Sequence, residues 1–340
     1  MSTPTRYYSI SRTGNAPRLV AQVGRLAEPG VGQVLVRMEA ASLNYRDLLV
    51  LRGLSGETKN GLVPLSDGAG TVIAVGSAVK RWRVGDRVAS SFFGEWASGP
   101  FREEYLASAL GGGGTDGVLA DVRAFDEHSV VAIPRGYSSA EAATLPCAAL
   151  TAWHALVVRG RLKAGDVVLV QGTGGVALFA LQIANALGAR VIVLSSSDKK
   201  LDAAKALGAW AGVNYRAMPD WDVEVRRLTD GTGVSHVVEL GGPDTFDRSL
   251  RAVAAGGRIA QIGVFTGFGP HSNLIRLQMI NADINGICVG SAEHFAEMNG
   301  FLEHHGIRPV IDKSFAFDEA PAAYGHLASG AHFGKIVINI

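Results

Sequence analysis

The sequence predicts an α/β protein in which a β-rich module is joined to a doubly wound parallel sheet. Three observations predict it. The chain has 340 residues, more than one ordinary hydrophobic core fills, so two domains are expected. Its first part is a series of short apolar runs separated by glycine turns. From Val167 onward, short apolar runs alternate with helical patterns, the βαβ texture of a parallel sheet.

Taken in order, residues 33–40 read as a strand that follows the turn Pro29-Gly30-Val31-Gly32. Residues 70–76 form a second, with glycine at both ends, and Val84-Gly85-Asp86-Arg87-Val88 carries a turn into a third. The glycine-rich run 111–117 predicts a flexible loop. Together these suggest a barrel-like or folded β module. Ser138-Ser139-Ala140-Glu141 is a helix start, with a hydroxyl cap and an early acid. Pro146 predicts a break in that helix, which resumes over 148–158. Then come strand 167–170, helix 176–187, strand 191–194, helix 199–207 and strands 237–240 and 258–262. The last segment offers a helix at 295–304 and strands at 314–317 and 335–340. It leaves the alternation and is expected to fold back on the first module. The expected division is 1–148 and 290–340 for one domain and 149–289 for the other.

Composition narrows the function classes. The net charge is +1, which argues against a nucleic-acid partner. Two cysteines, Cys147 and Cys288, cannot build a disulfide framework or a four-thiolate zinc site. Residues 1–10 lack the apolar core of a signal peptide, and no uncharged apolar run is long enough to span a bilayer. The expected partner is a small-molecule substrate, with no membrane, and the expected location is the cytoplasm.

Gly172-Thr173-Gly174-Gly175-Val176-Ala177 fits G-x-G-x-x-[GA] between a strand and a helix, the context a dinucleotide site requires. Gly172 permits the tight turn, and Gly174 lets the backbone approach a pyrophosphate. Ala177 lets helix and strand pack closely, while the helix N-terminus supplies free N–H groups to the anion. The choice of cofactor is read at the end of the second strand. NAD sites place an Asp or Glu there to accept from the ribose 2′-hydroxyl. This chain has Ser195-Ser196-Ser197 there and Lys200 nearby, which favours the 2′-phosphate of NADPH. Asp198 is the competing ribose acid if the strand runs longer.

The sequence resembles the medium-chain dehydrogenase/reductase superfamily, in its zinc-free quinone oxidoreductase-like and alcohol dehydrogenase-like branch. The resemblance is carried by Leu43-Asn44-Tyr45-Arg46-Asp47, Asp67-Gly68-Ala69-Gly70-Thr71-Val72, Val84-Gly85-Asp86-Arg87-Val88, Leu145-Pro146-Cys147-Ala148-Ala149-Leu150-Thr151-Ala152-Trp153, the Gly172 motif and Gly334-Lys335-Ile336-Val337. It implies a GroES-like catalytic domain from both chain ends, a Rossmann domain between them, and a homodimer or homotetramer, often paired through Rossmann sheet edges. It also implies 2′-phosphate contacts from Lys200 and Tyr215. Gly241 and Gly242 would face the cofactor, with Phe265 near the nicotinamide ribose and Lys335 near the pyrophosphate.

The resemblance also frames the zinc question. Catalytic zinc takes three protein ligands and keeps an open position. In zinc-dependent relatives these are Cys, His and Cys; the matching positions here are Asn44, Ser66 and Cys147, so no metal is expected. A rearranged site using Asp67, Cys147 and a histidine such as His154 has no support in spacing. Without a Lewis acid, hydride addition to an enone or quinone is easier than reduction of a simple ketone. Asn44, Tyr45 and Arg46 fall where zinc and its proton relay would sit, in a segment similar to the Asn-Phe-Arg-Asp of enoyl reductase domains. Tyr45 could donate to an enolate and Arg46 could stabilise it; equally, Arg46 could pair with Asp47 and Tyr45 could only line the cleft. Phe92, Phe93 and Trp96 are expected in the substrate loop, with Cys147 beside it, although ordinary core packing fits the aromatics as well. The leading expectation is an NADPH-dependent enone or quinone reductase. The alternatives are a zinc-free alcohol dehydrogenase or carbonyl reductase, and an NADPH-binding protein with little turnover.

Overall fold

The structure, a computed structural model, describes residues 4–13, 16–25, 28–267 and 274–340. It divides into two compact units, Met1–Leu150 with Val289–Ile340, and Thr151–Cys288.

The first unit opens with an antiparallel hairpin of β1 (Pro4–Ser11) and β2 (Arg18–Arg25). Strands β3 (Gln33–Leu43), β4 (Asp67–Val75), β5 (Arg87–Ser90), β6 (Val122–Asp126) and β7 (Val130–Ala132) follow. In the second unit come β8 (Val167–Gln171), β9 (Arg190–Ser195), β10 (Ala211–Asn214), β11 (Val234–Glu239), β12 (Val253–Gln261) and β13 (Asp283–Gly286). The chain then returns to the first unit with β14 (Ile311–Ala316) and β15 (Lys335–Asn339).

The first unit's main sheet has the order β14-β15-β3-β4-β5-β7, with β6 also paired to β3. Strand β3 is therefore its organising element. Val34, Val36 and Met38 point inward at the alternation of a half-buried strand and pack with Val72, Val88, Phe125, Ile336 and Ile338. Pairing of β15 with β3 ties the two chain ends together, with Ile336 opposite Leu43 and Ile338 opposite Ala41.

In the second unit the order is β10-β9-β8-β11-β12-β13, with every pairing parallel. β8 lies between β9 and β11, so the connections diverge in opposite directions at its carboxyl end. In open α/β sheets that crevice holds the ligand. Strand β8 is buried along its whole length, as a central parallel strand must be. The helix after it, Gly175–Ala186, is apolar almost all round and correspondingly buried.

Several expectations need correction. Ser138 does cap a helix, its Oγ accepting from Glu141 N at 3.2 Å. The interruption expected at Pro146 falls just before it, at Ala143–Thr144, where the helix Ser139–Ala142 ends and a turn leads on. Leu145–Ala149 widens into a π-type turn, which accommodates the ring without ending the helical path. The helical stretch Ser139–Val158 is 20 residues long and, with a mean hydropathy of 1.2, apolar enough to cross a membrane by length and composition. It reads as a core helix, since 78% of that apolar window is buried. The run at 111–117 is not a slack loop. Gly111, Gly112 and Gly117 are buried, and a Cβ on Gly117 would come within 1.9 Å of Leu65 O. The glycines are there for close approach. Strands β10 and β13, each four residues long, and the helices Trp221–Leu228, Pro243–Ala252 and Ala320–Ser329 were not foreseen.

Candidate functional site

The second unit carries the dinucleotide features. Gly172 closes the turn after β8 with φ 79°, a left-handed value that favours glycine. Its N–H donates to Leu194 O at 2.8 Å, which locks the turn onto β9. Thr173 is buried beneath it. The helix Gly175–Ala186 begins after Gly174 with no side chain capping it. Its first ladder bond runs from Leu178 N to Gly174 O at 3.0 Å, leaving the amides of Gly175, Val176 and Ala177 ahead of the ladder. Ala177 is buried, so helix and strand meet closely. An uncapped helix N-terminus above a glycine turn suits a pyrophosphate.

At the end of β9 the structure brings Ser195, Ser197, Lys200 and Tyr215 together. Ser195 pairs with Asn214 of β10, and its carbonyl accepts from Tyr215 N at 3.1 Å. Its Oγ accepts from Ser197 N at 3.3 Å. Ser197 caps the helix Asp198–Ala206, accepting from Lys200 N at 3.4 Å. Ser196 is half-buried on the same turn. Asp198 is on the first turn of that helix, where its carboxylate accepts from Asn214 Nδ2 at 2.8 Å. It is already engaged with the neighbouring strand, and Ser195 holds the strand-end position.

Sequence reasoning missed Glu239, the last residue of β11. It is fully buried, and its carboxylate accepts from Gln171 Nε2 at 2.6 Å, Thr245 Oγ1 at 2.5 Å, the amides of Gly241 and Gly242 at 3.0 Å each, and Ser249 Oγ. Gln171 completes the ring by accepting from Leu240 N and Gly241 N through its Oε1. The end of β8, just before Gly172, is thereby tied to the Gly241-Gly242 turn. A signal was available: a carboxylate ending the apolar run Val237-Val238 must find donors. The Gly241 amide is already engaged by Gln171 Oε1 and Glu239 Oε1, and Phe265 is 64% exposed. His236 is a satisfied core histidine, bonded to Ser235 Oγ and Gly160 O at 2.9 Å each, and burial pulls its pKa down.

The first unit gathers a second set of residues around Asp67, which ends up fully buried at the start of β4. Its carboxylate accepts from Ser66 Oγ at 2.6 Å and from Cys147 N at 3.1 Å. Cys147 is in the first turn of the segment Leu145–Ala149, where its amide has no place in the helical ladder and reaches Asp67. Lys335 is buried in this cluster. Its Nζ donates to Leu43 O at 2.6 Å and Asn44 Oδ1 at 2.5 Å and lies 3.9 Å from Asp67 Oδ2. Burial pulls the Lys335 pKa down, while Asp67, Cys147 and Asp47 hold it up. Burial pushes the Cys147 thiol well up, and the Asp67 charge adds to that, so the thiol stays protonated.

Asn44, Tyr45 and Arg46 open the helix Tyr45–Arg52. Asn44 N donates to Asp47 Oδ2 at 2.7 Å. Arg46 is engaged structurally: Nη1 reaches Leu110 O at 2.9 Å and Asp47 Oδ1 at 3.4 Å, and the guanidinium lies 4.9 Å over the Phe92 ring. Tyr45 is half-buried against the sheet core. Phe93 and Trp96 do not line an open surface. Both are 2% exposed, packed with Phe101 and, for Trp96, with Tyr105 and His294. Core packing won at both positions.

Burial pushes the Asp47 pKa from 3.8 to about 6, against the pull of Arg46 and the Asn44 amide. Because the folded value lies above the ordinary one, the native state binds the extra proton between these pH values. Stability contributed at low pH is therefore lost as pH rises from about 4 to about 6, by roughly 3 kcal/mol. Asp47→Asn is expected to flatten that limb of a melting-temperature profile taken from pH 4 to 7. A profile identical to the parent's would show that Asp47 does not titrate in this window.

Two family profiles match the chain. One, described as an alcohol dehydrogenase GroES-like domain, covers residues 30–135, and the other, described as zinc-binding dehydrogenase, covers 175–304. A zinc-type alcohol dehydrogenase-like protein of Schizosaccharomyces pombe is 43% identical over 316 residues, 91% of each chain. A quinone oxidoreductase of Pseudomonas aeruginosa is 32% identical over 324 residues, 92% of each chain. A crystal structure from Sinorhizobium meliloti 1021, provisionally assigned as an alcohol dehydrogenase, matches with a TM-score of 0.93 at 44% identity, covering 100% of both chains. The GroES-like first unit, the parallel six-stranded sheet and these full-length relatives agree: the protein is an oxidoreductase that belongs to the medium-chain dehydrogenase/reductase superfamily.

Proposed function

We propose that this protein is an NADPH-dependent oxidoreductase that works without zinc and reduces an activated alkene or a quinone. The observation that carries the reading is the Lys335 ammonium, buried among Leu43 O, Asn44 Oδ1 and Asp67. Zinc-dependent relatives need three deprotonated or neutral ligands converging on an open position. The corresponding residues here are an amide, a hydroxyl already given to Asp67, and a single thiol, with a cation fixed beside them. These residues do not fit a catalytic zinc. Among the described residues, no group of three or more His, Cys, Asp and Glu side chains could hold a metal elsewhere.

When bound, the reduced nicotinamide supplies the hydride. Ser195, Lys200 and Tyr215 suit the 2′-phosphate of NADPH, because they offer donors and a cation where a carboxylate would repel it. An enone or quinone spreads the incoming charge to its oxygen, where hydrogen-bond donors suffice. Similarity to a quinone oxidoreductase supports this substrate class. We also propose a homodimer or homotetramer. Supporting it, β13 ends the six-stranded sheet and carries the exposed Ile284.

Incubation with an enone and NADPH tests the reaction. Saturated ketone is the expected product. Allylic alcohol would favour a carbonyl reductase, and NADPH binding without oxidation across enone, quinone and aldehyde panels would favour a binding protein. Elemental analysis of tag-free protein is expected to find zinc far below one per chain, and near-stoichiometric zinc would overturn the metal-free reading.

A further inference from the structure

We propose that the Asn44 carboxamide is the group that polarises the substrate carbonyl, and that Lys335 is the positioning residue that aims it. The inference rests on the reduction of a conjugated carbonyl proposed above and names the donor for it.

A lysine ammonium only donates hydrogen bonds. Its 2.5 Å contact with Asn44 therefore has to be made to the amide oxygen, which fixes the orientation of an otherwise ambiguous side chain. The Asn44 nitrogen must then face the opposite way. It is buried there, and its Nδ2 has no hydrogen-bond partner among the described residues. A buried, unsatisfied N–H is costly in a folded chain and is explained when a ligand atom completes it.

The geometry is also held from every side. Asn44 N is tied to the Asp47 carboxylate at 2.7 Å. Lys335 is fixed by Leu43 O as well as by Asn44. Asp67, close to the ammonium, is itself held by Ser66 Oγ and by the Cys147 amide. Positive charge against Oδ1 polarises the carboxamide and strengthens its N–H as a donor. In the reduction, hydride adds to the conjugated carbon, the π pair moves onto the carbonyl oxygen, and that oxygen accepts from Nδ2–H. Water then protonates the enolate, so the amide keeps its own proton throughout. A preorganised donor of this kind typically accounts for about 10²–10³ in kcat. Sequence reasoning placed Asn44 in the candidate set but assigned it no separate task.

Asn44→Asp is the decisive variant, because it keeps an acceptor for Lys335 and removes the donor. Asn44→Ala repeats the loss without adding charge. Both are expected to keep the NADPH KM while kcat for an enone falls about 100-fold or more. A second readout does not depend on turnover. In a dead-end complex of the parent protein with NADP+ and cyclohexanone, the infrared carbonyl stretch is expected at lower frequency than in water-free solvent. That shift should vanish in both Asn44 variants and in Lys335→Met. An Asn44→Asp protein with parental kcat, or a carbonyl stretch that does not change between parent and variants, overturns the inference. If the parent reduces no enone or quinone but still shows the Asn44-dependent shift, the reaction assignment fails while the donor assignment stands.

Discussion

Glu239→Ala is expected to destabilise the protein by about 3–5 kcal/mol and to lower the melting temperature by roughly 10 °C. The Glu239 carboxylate collects five donors, two of them the backbone amides of Gly241 and Gly242. Thr245 and Ser249 can rotate toward other acceptors, but the amides cannot. Truncation would leave the Gly242 amide buried beside a cavity, while Gly241 N would keep only Gln171 Oε1. The same residue bears on the cofactor, since Gln171 immediately precedes Gly172. A loosened Gln171 should weaken NADPH binding even at temperatures where the variant is folded. Thermal melts with and without NADPH check both effects. A variant melting within about 2 °C of the parent would show that the network is dispensable, given how few degrees each kcal/mol moves a domain of this size.

The second large effect concerns the choice of cofactor. Lys200→Ala is expected to weaken NADPH binding by about 10–100-fold, since a charge-assisted contact to phosphate contributes about 1.5–3 kcal/mol. NADH lacks the 2′-phosphate, so its affinity should stay within about twofold of the parent's. Ser195→Asp should act in the opposite sense. Its carboxylate would repel the phosphate and accept from a free ribose hydroxyl, raising the preference for NADH. Titration of intrinsic fluorescence with each cofactor measures all of these affinities. Equal NADPH affinity in the parent and Lys200→Ala would remove the lysine from the site and leave the NADPH reading without its main support.

What could be read from the sequence follows the range of the interactions involved. The two-domain plan was legible because alternation between strand and helix is written in local periodicity, and the Gly172 turn because its constraints fall within a few residues. Strands β10 and β13 were missed for a physical reason. Ala211-Gly212-Val213-Asn214 and Asp283-Ile284-Asn285-Gly286 have little apolar surface, and each forms an end of the sheet, where little burial is demanded. The cluster around Asp67 had no local signature at all, because Lys335 and Asn44 are 291 residues apart. Only the pairing of β15 with β3 brings them together. Phe93 and Trp96 illustrate the opposite problem: composition alone does not distinguish an aromatic that waits for a ligand from one that fills a core.

The glycine run at 111–117 has a consequence for redesign. Gly112 makes room for the Arg46 guanidinium, whose Nη2 would be 2.2 Å from an added Cβ, and Gly111 and Gly117 press against the Leu65 backbone. Libraries that randomise this stretch to broaden substrate range should lose most members at those three codons through misfolding. Gly114 is different: its surroundings are open, and its backbone is outside the left-handed region. A single diversified codon at Gly114, with its neighbours held fixed, would sample new surface chemistry while leaving Arg46 anchored.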